Sequence, residues 1–196
     1  MISPDFNIVY AFFSMACIIA GAVPYVRDML KGKTKPHTYS WFVWFLTTGI
    51  ATIGSWYGGG GWGAVSMIVF SGIIGLNFVL SLRFGTRDIT RTDTVALIVA
   101  LFAIVLWIVL DDPLWSVLLA TAIDIIGYIP TIRKTWFDPS SETPSAWLLS
   151  IIGDMFALLA LSAYNVLTVT YLVAIIIVNI IVFLIAIMGK KTVSAT

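Results

Sequence analysis

Charge is scarce in this chain. Only 11% of its 196 residues are Asp, Glu, Lys or Arg, against 60% hydrophobic, and the mean hydropathy is +1.01. A water-soluble domain carries about a quarter charged residues, so this chain has too little polar surface to cover itself. Its one cysteine, Cys17, excludes an internal disulfide and a cysteine-rich metal site. The one histidine, His37, has no ligand partners nearby in sequence and reads as a solvated loop residue. No nucleophile–base pair, phosphate-cradling glycine loop or metal-ligand cluster is present, so neither an enzyme nor a cofactor or metal is expected, and no residue is assigned a catalytic role. The last apolar run has no interior lysine for a Schiff base, which disfavours a rhodopsin. Met1–Asp5 lacks a basic segment and no convincing cleavage site follows, so a signal peptide is not expected.

What the chain has instead is long apolar runs bounded by charges or turns. Seven spans are predicted, roughly at 6–26, 39–57, 61–82, 94–110, 114–132, 146–164 and 168–188. At ~1.5 Å per residue each is near the length needed to cross a ~30 Å hydrocarbon core. The fourth and fifth meet at Asp111-Asp112-Pro113, a tight turn. With alternating spans, all 11 basic residues fall on one side: Arg27, Lys31, Lys33, Lys35, Arg83, Arg87, Arg91, Arg133, Lys134, Lys190 and Lys191. The other side carries only Asp5, Asp111 and Asp112. The positive-inside rule puts the basic side in the cytoplasm, with the N-terminus out and the C-terminus in. Those basic loops are explained by topology and anionic headgroups, so nucleic acid is not an expected partner. The expected location is the plasma (inner) membrane, as a multi-pass integral protein.

The chain also repeats itself. GAVPYVRDMLKGKTKPHTYSW (Gly21–Trp41) and GYIPTIRKTWFDPSSETPSAW (Gly127–Trp147) share Gly, Pro, Arg and Trp at a constant offset of 106. Asn77 and Asn179 pair at 102, and the glycine run Gly58–Gly61 can absorb the missing four. Pro24 and Pro130 fall on the same side, so the copies are parallel. A unit of three helices ends opposite its start, so one extra crossing must separate two parallel units. Span four, TVALIVALFAIVLWIVL, has no polar residue after Thr94 and suits that connector. The predicted fold class is an all-α membrane protein with seven transmembrane helices arranged 3+1+3. The first repeat is placed at 1–82, the linker with helix four at 83–112, the second repeat at 113–189 and a cytoplasmic tail at 190–196. Parallel repeats about an axis along the bilayer normal are a transporter pattern.

The order of elements resembles the PQ-loop superfamily, which includes the SWEET and SemiSWEET sugar transporters. The matching features are Pro24 and Pro130, the loops 27–38 and 133–144, Trp56-Tyr57-Gly58, and Asn77 with Asn179. The Pro-Gln dipeptide of that family reads Pro24-Tyr25 and Pro130-Thr131 here. Its proline near the start of the second helix is Pro144 in copy two and only loosely Pro36 in copy one. The resemblance implies an asparagine from each third helix facing a substrate, with a sugar as the modal solute. Nicotinamide riboside carriers share the same plan, as do the KDEL receptors, so the fold does not decide the function.

Polar residues inside the spans mark the faces that lipid cannot satisfy. They recur at helical steps: Asn7, Tyr10, Ser14, Cys17 and Gly21; Ser40, Trp44, Thr48, Thr52 and Ser55; Thr121, Asp124, Tyr128 and Thr131; Ser150, Asp154 and Ser162. Small polar residues also glue helices together, so the Ser and Thr positions fit either role. Gly72 and Gly75 read as packing contacts. Asp124 and Asp154 each lie ~15 Å into the membrane by the helical rise, with no lysine or arginine inside any span. Three readings stay open for them: proton coupling, recognition of a cationic solute, or a protonated structural acid. Trp62, Trp107, Trp115 and Trp136 read as interfacial anchors, and Trp56 either joins that belt or caps an outer cavity.

The expectation is an alternating-access carrier of a small polar solute such as a sugar. A vitamin, nucleoside or cationic-solute carrier is the alternative, as is a non-transporting heptahelical receptor. The candidate binding residues are Asn77, Asn179, Asp124, Asp154, Trp56 and Thr48. Pro24, Pro130 and Pro144 are candidate gate residues, weakening helices at the cytoplasmic end. The expected partners are a small-molecule substrate, the lipid bilayer and possibly a second copy of the chain.

Overall fold

The computed structural model describes residues 4–86, 89–110 and 112–193. Arg87 and Asp111 lie outside the described residues, as do the side chains of Asp5, Trp107, Lys190 and Lys191. Seven α-helices account for almost all of it: α1 (Pro4–Leu30), α2 (Thr38–Tyr57), α3 (Trp62–Phe84), α4 (Arg91–Leu110), α5 (Pro113–Phe137), α6 (Pro144–Leu159) and α7 (Val166–Val193). A 3-10 turn at Pro139–Ser141 precedes α6, and no strand occurs among the described residues. Four segments are long and apolar enough to cross a bilayer: Phe6–Leu30, Trp62–Phe84, Leu114–Phe137 and Val166–Gly189. Large apolar side chains such as Phe12, Val79, Leu82 and Phe102 stand exposed on the outside of the bundle.

Local chemistry sets several helix ends. Asp112 caps α5, its Oδ1 accepting from the backbone N–H groups of Leu114 (2.8 Å) and Trp115 (3.3 Å), and Pro113 follows at the first helical position. The α2–α3 connection turns on Gly59 (φ +79°) and Gly61 (φ +54°), conformations that side-chain-bearing residues rarely adopt. Helix α6 stops at Leu159, short of the predicted 164. The next residues turn instead to the glycine run: Gly63 N–H donates to Ala160 C=O (3.1 Å) and Ser162 N–H to Gly60 C=O (3.2 Å). At 16 residues, α6 is only ~24 Å long by the helical rise.

The prolines behave differently from one another. Helix α1 runs through Pro24 to Leu30, and α5 runs through Pro130 to Phe137. Each proline removes one i→i−4 bond, yet neither ends its helix. Tyr25 and Met29 after the first, and Thr131, Lys134 and Thr135 after the second, are buried and hold the continuation in place. Pro144 corrects the sequence expectation. It is the first residue of α6, where a missing N–H disrupts no intrahelical bond, so it starts the helix and does not weaken it.

The helix packing is internally symmetric. Helix α3 lies against both α1 and α2, and α7 against both α5 and α6. Between these triplets α1 packs on α6, α2 on α5, α2 on α7 and α3 on α6. Exchanging α1, α2 and α3 with α5, α6 and α7 carries every one of these contacts onto another. Helix α4 packs on α5 and α2 and has no counterpart. The correspondence reaches single residues. A Cβ at Gly21 would lie 3.1 Å from Cβ of Leu149, and one at Gly127 would lie 3.0 Å from Cγ1 of Val43. Val43 and Leu149 differ by the same 106 as the two glycines.

The other glycines divide. A Cβ at Gly75 would meet the Phe45 ring at 2.8 Å, so Gly75 is a packing contact. One at Gly72 meets nothing within 4 Å, which overturns the packing role expected for it. Overpacking a tight contact costs about 1–3 kcal/mol. Gly21→Val and Gly127→Val are therefore each expected to lower the melting temperature of the purified protein, by comparable amounts. Gly49→Ala and Gly72→Ala, both facing open space, are expected to leave it unchanged or raise it. Equal melting temperatures across all four would refute the paired close approach.

Candidate binding cavity

A cavity lies inside the bundle, its described lining residues drawn from α1, α2, α3, α5, α6 and α7 and none from α4. Aromatic and small or aliphatic residues share its walls, the aromatic ones being Tyr25, Trp41, Trp44, Tyr128, Trp147, Tyr171 and Phe70. Polar groups enter from Asn77, Asp124, Ser150 and Asn179. The space open to the centre of a water-sized sphere is about 50 Å³. That is enough to admit water. Two apolar clusters flank it. One is built on Met29, Trp41, Trp44 and Trp147, the other on Met67, Leu161, Leu172 and Ile175, and Phe70 packs against both.

The two buried carboxylates sit in separate hydrogen-bond chains. Asp124 Oδ1 accepts from the Thr47 hydroxyl and from the Tyr171 hydroxyl at 3.0 Å. The Tyr171 oxygen also lies 2.6 Å from Thr48 Oγ1. Trp44 Nε1 donates to the Asp124 backbone carbonyl at 3.4 Å. In the second chain Tyr128 donates to Asn179 Oδ1 (2.6 Å), and Asn179 Nδ2 donates to Asp154 Oδ2 (3.1 Å). Trp44 and Tyr128, one from each chain, pack with ring centroids 4.4 Å apart and planes tilted by 45°. Asn77 is buried opposite, its Oδ1 without a hydrogen-bond partner.

Of the predicted binding residues, Asn77, Asn179 and Asp124 line the cavity. Asp154 and Thr48 are buried one layer back and reach it through Asn179 and Tyr171. Trp56 is 59% exposed and lies outside the lining, so it neither caps nor contacts this space. The polar helix faces did turn inward, from Asn7 and Ser14 to Thr121 and Thr131, although Ser162 is exposed. The sequence reading missed Tyr171 and Thr47, both partners of Asp124. Tyr171 stands eight residues before Asn179 on the same apolar helix, a spacing that could have flagged it. Three tryptophans from two helices also converge here.

The basic end of the bundle carries two buried charge clusters. Lys134 Nζ donates to Glu142 Oε1 (2.5 Å) and to the Lys35 carbonyl (2.6 Å). Glu142 Oε2 accepts from Trp147 Nε1 (3.0 Å). This ion pair thereby holds a tryptophan that walls the cavity. In the second cluster Arg133 Nη2 lies 2.9 Å from Asp93 Oδ2, and His37 Nε2 lies 3.3 Å from the same oxygen. His37 is fully buried at the start of α2, not solvated as its loop position suggested. The start of α4 and the end of α5 close over it, a long-range arrangement that nothing in its own loop signals.

Burial pushes the His37 imidazole below its ordinary pKa, and the Asp93 carboxylate opposes this without reversing it. Among the described residues its Nδ1 is buried without a hydrogen-bond partner. Burial works to raise Asp93, but hydrogen bonds from Thr90 and Arg133 outweigh it and hold the carboxylate below its usual range. Among the described residues no group of three or more His, Cys, Asp or Glu could hold a metal ion. Comparison of the chain with protein-family models, with curated proteins and with solved structures found no match.

The sign of the pH dependence follows. A base with a lowered folded pKa binds fewer protons folded than unfolded, so its stabilisation is present above about pH 6.5 and is lost as pH falls through the folded value. Asp93 stabilises above about pH 4 and loses that contribution at lower pH. The melting temperature is expected to fall on acidification below about pH 6.5, and His37→Gln to remove that first fall while the limb below about pH 4 persists. A variant profile that superimposes on wild type would show that His37 does not titrate there.

Proposed function

We propose that this chain is an integral membrane carrier that moves a small polar solute by alternating access. In this reading α1–α3 and α5–α7 are two parallel units joined by α4, and the basic end faces the cytoplasm. One observation carries the reading: a central polar-and-aromatic cavity drawn from six helices in two pseudo-equivalent triplets, with the seventh helix excluded. Such a cavity between repeats is where transporters of this plan bind their substrates.

The seams at the two ends give the reading a mechanism. At the basic end the triplets are bridged by Thr34 with Thr143, by Lys35 N–H to Ser141 C=O (3.0 Å), and by Lys134 to the Lys35 carbonyl. At the opposite end they are bridged by Ser162 N–H to Gly60 C=O and by Asn165 Nδ2 to Gly58 C=O (2.8 Å). Both seams are made in this conformer. Transport requires them to break one at a time as the triplets rock about the cavity. Pro24 and Pro130 occupy equivalent positions and each removes a helix hydrogen bond toward the basic end, which supplies bending there.

Uptake of a panel of small polar solutes into proteoliposomes tests this. Flux is expected for at least one solute, with Asn179→Ala and Asp124→Asn each reducing it tenfold or more. In a Cys17→Ser background, oxidation of a Thr34→Cys/Thr143→Cys pair is expected to stop flux and reductant to restore it. Saturable binding without flux would favour a receptor, and undiminished flux through the fully crosslinked protein would refute opening at that seam.

A further inference from the structure

Resting on the carrier reading, we infer that the solute is a small organic cation with N–H groups, a primary or secondary ammonium. Three features of the cavity point to this class. The first is the absence of countercharge. Asp124 lines the cavity, Asp154 stands one layer behind it, and no Lys, Arg or His is among the lining residues. A carboxylate in a region of low dielectric is costly without a partner of opposite sign, and a bound ammonium supplies one.

The second feature is the shape of the walls. Trp41 and Trp44 cross at 78° with centroids 5.2 Å apart, and Trp44 and Trp147 at 82° and 6.2 Å. Tyr25 and Tyr128 extend this array, 5.3 Å from Trp41 and 4.4 Å from Trp44. Near-perpendicular rings form adjacent sides of a box, the arrangement in which aromatic quadrupoles attract a cation.

The third feature is where the polar hydrogens go. Tyr128, Tyr171, Trp44 and Trp147 each donate to a protein acceptor, so these rings meet the cavity as apolar walls. By contrast both side-chain donors to Asp124 fall on Oδ1, and Asn77 Oδ1 is buried without a partner. Spare acceptors match a solute that presents N–H donors. The lining also holds two hydroxyls able to donate, Ser150 and Tyr25. The latter is buried without a hydrogen-bond partner among the described residues, so the carboxylate and the rings carry the assignment more than these hydrogens do.

The test uses the full-length protein in detergent at neutral pH, with n-propylammonium, its neutral near-isostere n-propanol, and glucose as probes. Binding is followed by tryptophan fluorescence and by shift of the melting temperature. Propylammonium is expected to bind saturably and at least 100-fold more tightly than propanol or glucose. Asp124→Asn, which keeps the Thr47 acceptor, is expected to weaken the amine at least tenfold and leave propanol unchanged. The wild-type comparison needs no variant, so a poorly folded Asp124→Asn does not obscure the result. Propanol or glucose binding as tightly as the amine, or no amine binding, overturns the assignment. Flux of a neutral solute in proteoliposomes would then leave the carrier reading standing. Amine binding with no flux of any probe would keep the cation assignment and overturn the carrier.

Discussion

Two antiparallel helix seams organise everything else in this molecule: α1 against α6, and α2 against α5. Each brings two backbones close at a glycine, Gly21 under Leu149 and Gly127 under Val43. Because both seams use the same residue spacing, the two triplets face each other in a common geometry, and α3 and α7 fill the flanks. The cavity is the space this pairing leaves at its centre. A side chain inserted at either glycine would push the seam apart and displace the walls of that space.

Pseudo-symmetry makes the chemical differences between the halves informative. At one equivalent pair of positions Ile18 packs over Gly153, a purely apolar contact. At the other Asp124 accepts a hydrogen bond from Thr47. The same position is therefore apolar in one seam and acidic in the other. Asp154 matches Thr48 in the same way, and both are tied to α7, one through Asn179 and the other through Tyr171. The carboxylates thus lie on α5 and α6, with donors from α7 (Tyr171 and Asn179) and from Thr47 on α2, whereas the first triplet lines the cavity with Trp41, Trp44 and Asn77. The cavity is therefore asymmetric within a symmetric frame.

The ends of the bundle are coupled to the centre by specific side chains. Glu142 joins Lys134 to the indole of Trp147, so movement at the basic seam reaches the cavity wall directly. His37, Asp93 and Arg133 tie the starts of α2 and α4 to the end of α5, so α4 is fastened to one helix of each triplet. At the far end the glycine turn at 58–61 plays the opposite part. It has few side chains and is held by backbone bonds to Ser162 and Ala160.

Much of this was legible in the chain itself. Seven apolar runs, the offset of 106 and the inward polar faces follow from local composition and helical period, because burial on a helix repeats every three to four residues. The sequence by itself determined that the protein is helical, that Asn77, Asp124 and Asn179 belong on inward faces, and that two halves match. Only the tertiary structure decided which inward residues share one space. It separated Trp56 from the cavity, brought in Trp41, Trp147 and Tyr171, buried His37 against Asp93 and made Pro144 a helix start. These outcomes depend on contacts between residues about 50 to 120 positions apart, such as His37 with Asp93 and Thr48 with Tyr171. A periodic pattern states which face of a helix turns inward, but not which neighbour it will meet there.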